Sequence, residues 1–206
     1  MRAWTVDADD IRVAEDFDEA LLHRTPEIDG FLAPDGDDKF IVIGTKGFAT
    51  LGKVARDGRE VWVCVRAENR IAVVDTHSLE IAASIAMPQM PIRVAMSPDG
   101  RTAYVTCAAA STLVAIDVAG RNIQRTHRVA LPLAPGAPNR QFAHLGPGSP
   151  LPIGLAVSPH SGIIFLAATM SDRVQMLDPV SLDVVRSVDV GGEPDGIAVS
   201  AVRPGG

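Results

Sequence analysis

The chain has 206 residues, a net charge of −6 and 47% apolar residues. That length allows one domain with a sizeable core, and the apolar content is incompatible with a disordered tail. No basic run exists to mark a nucleic-acid footprint, and no stretch approaches the roughly 18 uninterrupted apolar residues of a membrane span.

The apolar residues are mostly Val, Ile, Ala and Leu, punctuated by 18 Gly and 15 Pro, a mixture that favours many short strands joined by turns. The first twenty residues carry Asp7, Asp9, Asp10, Glu15 and Asp16, which is not the pattern of a secretory signal peptide in the chain as given. Within and just after them, residues 3–6, 11–15 and 20–24 read as three short strands. Residues 31–50 read as an insertion, with Asp35, Asp37, Asp38 and Lys39. That acidic run resembles part of a calcium loop but lacks the ~12-residue frame and closing Glu, so no metal is assigned.

From residue 51 the pattern repeats. A degenerate first strand at 51–55 is followed by Arg56-Asp57-Gly58, a strand carrying Trp62, an apolar strand ending in Asp75, and a more polar strand at 80–86. Residues 90–100 then read Met-Pro-Ile-Arg-Val-Ala-Met-Ser-Pro-Asp-Gly, and 151–160 read Leu-Pro-Ile-Gly-Leu-Ala-Val-Ser-Pro-His. Residues 193–200 repeat the same strand once more. Ala55, Ser97, Ser158 and Ser200 are spaced 42, 61 and 42 residues apart, and Trp62, Tyr104 and Phe165 keep the first two of those spacings. The third strands end alike, in Asp75, Asp117 and Asp178, which read as structural turn residues. Four short strands in about 42 residues make one propeller blade.

These motifs, Pro-x-x-φ-Ala-φ-Ser-Pro-Asp-Gly and then Tyr104-Val105-Thr106-Cys107 before a strand ending in Asp, resemble the YVTN β-propeller repeat. The Asn that closes the YVTN tetrad is replaced here by Cys107, Val65 and Ala168. The resemblance, which extends to quinoprotein amine dehydrogenase-like propellers, implies an all-β propeller, commonly of about seven blades and often periplasmic or secreted. It implies no single activity.

Four four-stranded blades are expected. Blade 1 takes residues 1–30 plus a terminal strand at 192–200 that closes it beside residues 3–6. An insertion at 31–50 follows, then blade 2 at 51–87, blade 3 at 88–130, an insertion at 131–150 and blade 4 at 151–191. Four blades alone would need steep wedges. The expectation is therefore a ring of about seven or eight, half of it supplied by this chain, in a homodimer or as part of a larger protein.

Chemistry is expected on the loop-rich face. The second insertion brings Arg140, Gln141 and His144 together, within reach of a carboxylate or phosphate, and Arg70 and Arg173 sit in the second-to-third turns on the same face. The competing reading is a loop stiffened by Pro and Gly whose polar residues only meet solvent. The five histidines show no metal-ligand spacing, no nucleotide or nucleophile motif occurs, and no catalytic residue or cofactor is assigned. Cys64 and Cys107 read as buried free thiols. The reading that results is a non-catalytic scaffold recognising a protein or small ligand. The alternative is a propeller enzyme, such as a quinoprotein-like dehydrogenase or a lactonase.

Overall fold

The computed structural model describes residues 3–7, 10–14, 23–25, 30–35, 39–44, 49–54, 58–78 and 80–199, with side chains from residue 58 onward. Every regular element among them is a strand or a three-residue 3-10 turn. The all-β expectation therefore holds.

Three successive antiparallel sheets have four strands each. The first contains β6 (Ala49–Val54), β7 (Glu60–Val65), β8 (Arg70–Asp75) and β9 (Ile81–Ala86). The second contains β10 (Pro91–Met96), β11 (Thr102–Cys107), β12 (Thr112–Asp117) and β13 (Asn122–Arg128). In the third are β14 (Pro152–Val157), β15 (Ile164–Ala168), β16 (Arg173–Leu177) and β17 (Val184–Asp189). Each is ordered as the chain runs, the meander of a propeller blade.

Alternation along the strands explains how the blades stack. On β11 and β12, Ala103, Val105, Cys107, Val114 and Ile116 pack against Trp62, Cys64, Ile71 and Val73 of the preceding blade. Their neighbours in sequence, Tyr104, Leu113 and Ala115, face the other way onto Leu155, Ile164, Leu166 and Leu177. A two-residue period thus gives the middle blade two buried faces, one per neighbour. The outermost strands β13 and β17 are mostly exposed, as their polar sequences require.

The turns that end the third strands are held by their aspartates. Asp75 accepts from the backbone N–H groups of His77 and Ser78, and Asp178 from those of Val180 and Ser181. These bonds favour the carboxylate, so both groups sit below the usual carboxylate range.

The amino-terminal part departs from expectation. β1 (Ala3–Asp7) pairs with β2 (Asp10–Ala14), as expected for second and third strands. β3 (His23–Thr25), in the expected fourth strand, instead joins β4 (Gly30–Asp35) and β5 (Lys39–Gly44) in a three-stranded sheet. The segment read as an insertion thus carries a hairpin, whose second strand holds the aromatic and β-branched run Phe40-Ile41-Val42-Ile43. Glu15, residues 20–22, Ala55 and Ser200 of the expected strands lie outside the described residues.

The expected closure is not formed among the described residues. β1 pairs only with β2, and residues 194–199 take no strand pairing. The tail is held instead along β14 of its own last blade. Thr169 Oγ1 donates to the Pro194 carbonyl at 2.8 Å, and Arg93 meets Asp195 at 3.1 Å. The Asp195 carbonyl comes so near Gly154 that a Cβ there would lie 2.1 Å from it, so only glycine admits the approach. The tail therefore lies beside the inner strand β14.

A candidate pocket under the 131–150 loop

Each described blade repeats one latch between its second-to-third turn and the chain leaving the fourth strand. The turn residue is left-handed in every case: Asn69 (φ 51), Ser111 (φ 56) and Asp172 (φ 50). Its carbonyl accepts from Met87, Val129 and Val190 respectively, at 2.8, 2.8 and 2.9 Å. Its side chain then holds the next connection. Asn69 Oδ1 accepts from the Met90 N–H, Ser111 Oγ donates to Ser149 Oγ, and Asp172 Oδ1 accepts from the Glu193 N–H. Met90, Leu151 and Glu193, each just before a proline, are themselves left-handed at φ 65, 48 and 52.

The 131–150 segment is folded over this latch. Three-residue turns at Ala137–Asn139 and Ala143–Leu145 fold it locally. The Ala134 N–H donates to the Met170 carbonyl and that of Met170 to the Pro150 carbonyl, tying both ends of the loop to one turn. Ser149 is buried and fully used: it donates to the Ala108 carbonyl at 2.6 Å and accepts from Ser111 Oγ and the Leu151 N–H. Prolines at 132, 135, 138, 147 and 150 lower the entropy lost in ordering such a segment.

Beneath the loop lies a cavity of about 610 Å³. Its walls are largely apolar, from Leu133, Ala137, Pro138, Ala143, Pro147 and Met170. Asn139, Arg140, His144 and Ser149 supply the polar groups. This size and lining suit a small organic ligand or one large side chain.

Of the residues singled out from sequence, Arg140 and His144 line this cavity and Gln141 supports it. The Gln141 carbonyl lies 2.9 Å from His144 Nδ1. A carbonyl only accepts, so Nδ1 carries a proton and donates it in this bond, leaving Nε2 as the ring nitrogen free of that contact. Arg140 meets Asp172: NH1 contacts Oδ1, and NH2 donates to Oδ2 at 2.7 Å. This forked pair holds the Asp172 carboxyl below the usual carboxylate range and pushes the Arg140 guanidinium up.

Arg70 and Arg173 do not line the cavity. Arg70 Nε donates to Glu68 at 2.6 Å, and Arg173 pairs with Asp189 at 2.8 Å. Sequence reasoning missed Met170 and Asp172. The signal for Asp172 was the turn position shared with Asn69 and Ser111, six residues before each third-strand aspartate. Among the described residues no group of three or more His, Cys, Asp or Glu could hold a metal ion, and no helix there is long and apolar enough to cross a membrane.

The model of the YNCE-like beta-propeller family matches residues 28–135, just over half of the chain. The chain belongs to that family. The match runs from β4 to the start of the pocket loop, so most of that loop lies beyond it. Among solved structures, hydrazine synthase from Kuenenia stuttgartiensis is similar with a TM-score of 0.58 and 18% identity, over 70% of this chain and 37% of that one. U3-55K and the WD40 repeats of RRP9 each give a TM-score of 0.55 at 12% identity, over 71% of this chain and 40% of theirs. The chain thus spans about two fifths of the structures it matches, and at these identities the likeness concerns the fold alone. No curated protein matches the sequence.

Proposed function

We propose that this propeller is a non-catalytic binding scaffold whose ligand sits in the cavity beneath the 131–150 loop. The observation that carries the reading is a cavity of about 610 Å³ with apolar walls and a few polar groups, under a loop tied to the blade at both ends. A pocket already shaped before binding avoids the ordering cost that a free loop would bear. Its polar groups are ones that orient a ligand, with an imidazole held by Gln141 and a guanidinium held by Asp172.

The test is a fragment screen by ligand-observed NMR on the wild type and on Ala143→Trp. Ala143 is a small residue in the cavity wall, and an indole there fills the space. Fragments that bind the wild type and not the variant, with circular dichroism unchanged, support the reading. Fragments that bind both equally, or none at all, overturn it.

A further inference from the structure

We infer that the pocket is selective for uncharged ligands with an apolar body, and that Asp172 sets this selectivity. The inference rests on the proposed binding role of the cavity and adds the class of ligand it takes.

The argument turns on one cation. Arg140 is the guanidinium in the cavity wall, and alone it would attract a carboxylate or phosphate. Its fork is already filled from within the chain, by both oxygens of Asp172 and by the Pro135 carbonyl at 3.3 Å. Arg140 and Asp172 side chains are only 20% and 24% exposed, so the pair is screened from solvent better than most surface pairs. Glu193 adds a second negative charge near Arg140. An anion drawn to Arg140 would have to displace Asp172, or compete with it and with Glu193 for the same charge. An apolar ligand with a hydroxyl meets no such opposition and can pair with the His144 imidazole, which the Gln141 carbonyl orients through Nδ1.

The blades themselves supply the substitution that separates charge from structure. Asp172 does two jobs: it neutralises Arg140, and it accepts the Glu193 N–H at 3.0 Å. Asn69 does only the second, accepting the Met90 N–H at 2.8 Å at the matching position of another blade. Asp172→Asn should therefore keep the latch and release the positive charge into the pocket.

Benzyl alcohol and benzoate are a size-matched neutral and anionic pair. Binding is read by isothermal titration and by the Met170 methyl resonance. In the wild type, benzyl alcohol should bind at least tenfold more tightly than benzoate. In Asp172→Asn, benzoate should gain at least tenfold, with benzyl alcohol changed by less than about threefold. Adding Arg140→Gln should remove that gain. Benzoate binding the wild type as tightly as the alcohol would overturn the inference, whether or not the variant folds. So would an unchanged benzoate affinity in a folded Asp172→Asn protein. If neither probe moves Met170 in either protein, the cavity binds neither, and the proposed function fails with it.

Discussion

Leu151 offers a test in which two effects of known sign compete. Its side chain is fully buried, packed with Ile92, Ala108, Ala137, Ile153 and Met170. Its backbone sits at φ 48, a conformation that costs an L-residue about 1–2 kcal/mol. That backbone is held by the Ser149 hydroxyl on its N–H and by the Thr169 N–H on its carbonyl. Leu151→Ala loses the packing, about 2–5 kcal/mol, and keeps the strain. Leu151→Gly loses slightly more packing, removes the strain, and adds about 0.4–1 kcal/mol of unfolded-chain entropy. Glycine should therefore be the milder change by about 0.5–1 kcal/mol, the reverse of its usual rank below alanine. The matching Glu193 has the same kind of backbone (φ 52), is not fully buried, and leaves Oε1 without a partner, so Glu193→Gly should stabilise by about 0.5–1 kcal/mol. Urea unfolding followed by circular dichroism measures all three. An alanine variant more stable than the glycine variant at 151 would refute the claim that the turn is strained and held by its hydrogen bonds.

Tyr104 spans two blades, donating its hydroxyl to the Pro179 carbonyl at 2.8 Å, and Tyr104→Phe should cost about 1 kcal/mol in the same assay. His127 on β13 has a buried Nε2 with no partner, and burial lowers its proton affinity below the usual imidazole value of 6.5 while Asp183 opposes the shift in part. The unfolded chain then binds the proton more readily, so this contribution to stability is present above pH 6.5 and lost as pH falls through and below it. Urea midpoints should drop between pH 7.5 and 5.5 by more in the wild type than in His127→Gln; equal drops would rule out the histidine as the cause. Burial holds both thiols well above their usual range, Cys107 up to about 12, so a thiol reagent at pH 8 should label neither in the native protein and both in urea. Rapid native labelling would contradict the packing of Cys64 and Cys107 between blades.

The blades were legible because their signal is repeated and local. Pro91, Tyr104 and Asp117 recur at one spacing, and a strand's two faces follow from alternation alone. The hairpin at 30–44 was passed over because it has no counterpart elsewhere in the chain, although its apolar run between Asp38 and Gly44 was a strand signal in its own right. The terminal segment takes a different neighbour among the described residues, for a physical reason. Register says which residues match in a repeat, whereas pairing depends on which edge lies beside them, and here that neighbour is β14.

Part of the proposed site could be read from the chain. Loop position and residue type pointed to Arg140, Gln141 and His144, and the fold brings these around one cavity. Nothing in the spacing shows that Arg140 is met by a carboxylate 32 residues away. That contact exists only because the loop folds back over the turn of the next blade, and it changes the charge the cavity presents. Arg70 and Arg173 lie outside this cavity, each paired with an acidic neighbour, Glu68 or Asp189.

The central claim is that the cavity under the 131–150 loop is where a ligand binds. A crystal structure with benzyl alcohol tests it most directly. The account predicts the ring between Leu133 and Met170, with its hydroxyl within hydrogen-bond distance of His144 Nε2 and the Arg140–Asp172 pair intact. An empty cavity beside benzyl alcohol bound elsewhere on the propeller would contradict it.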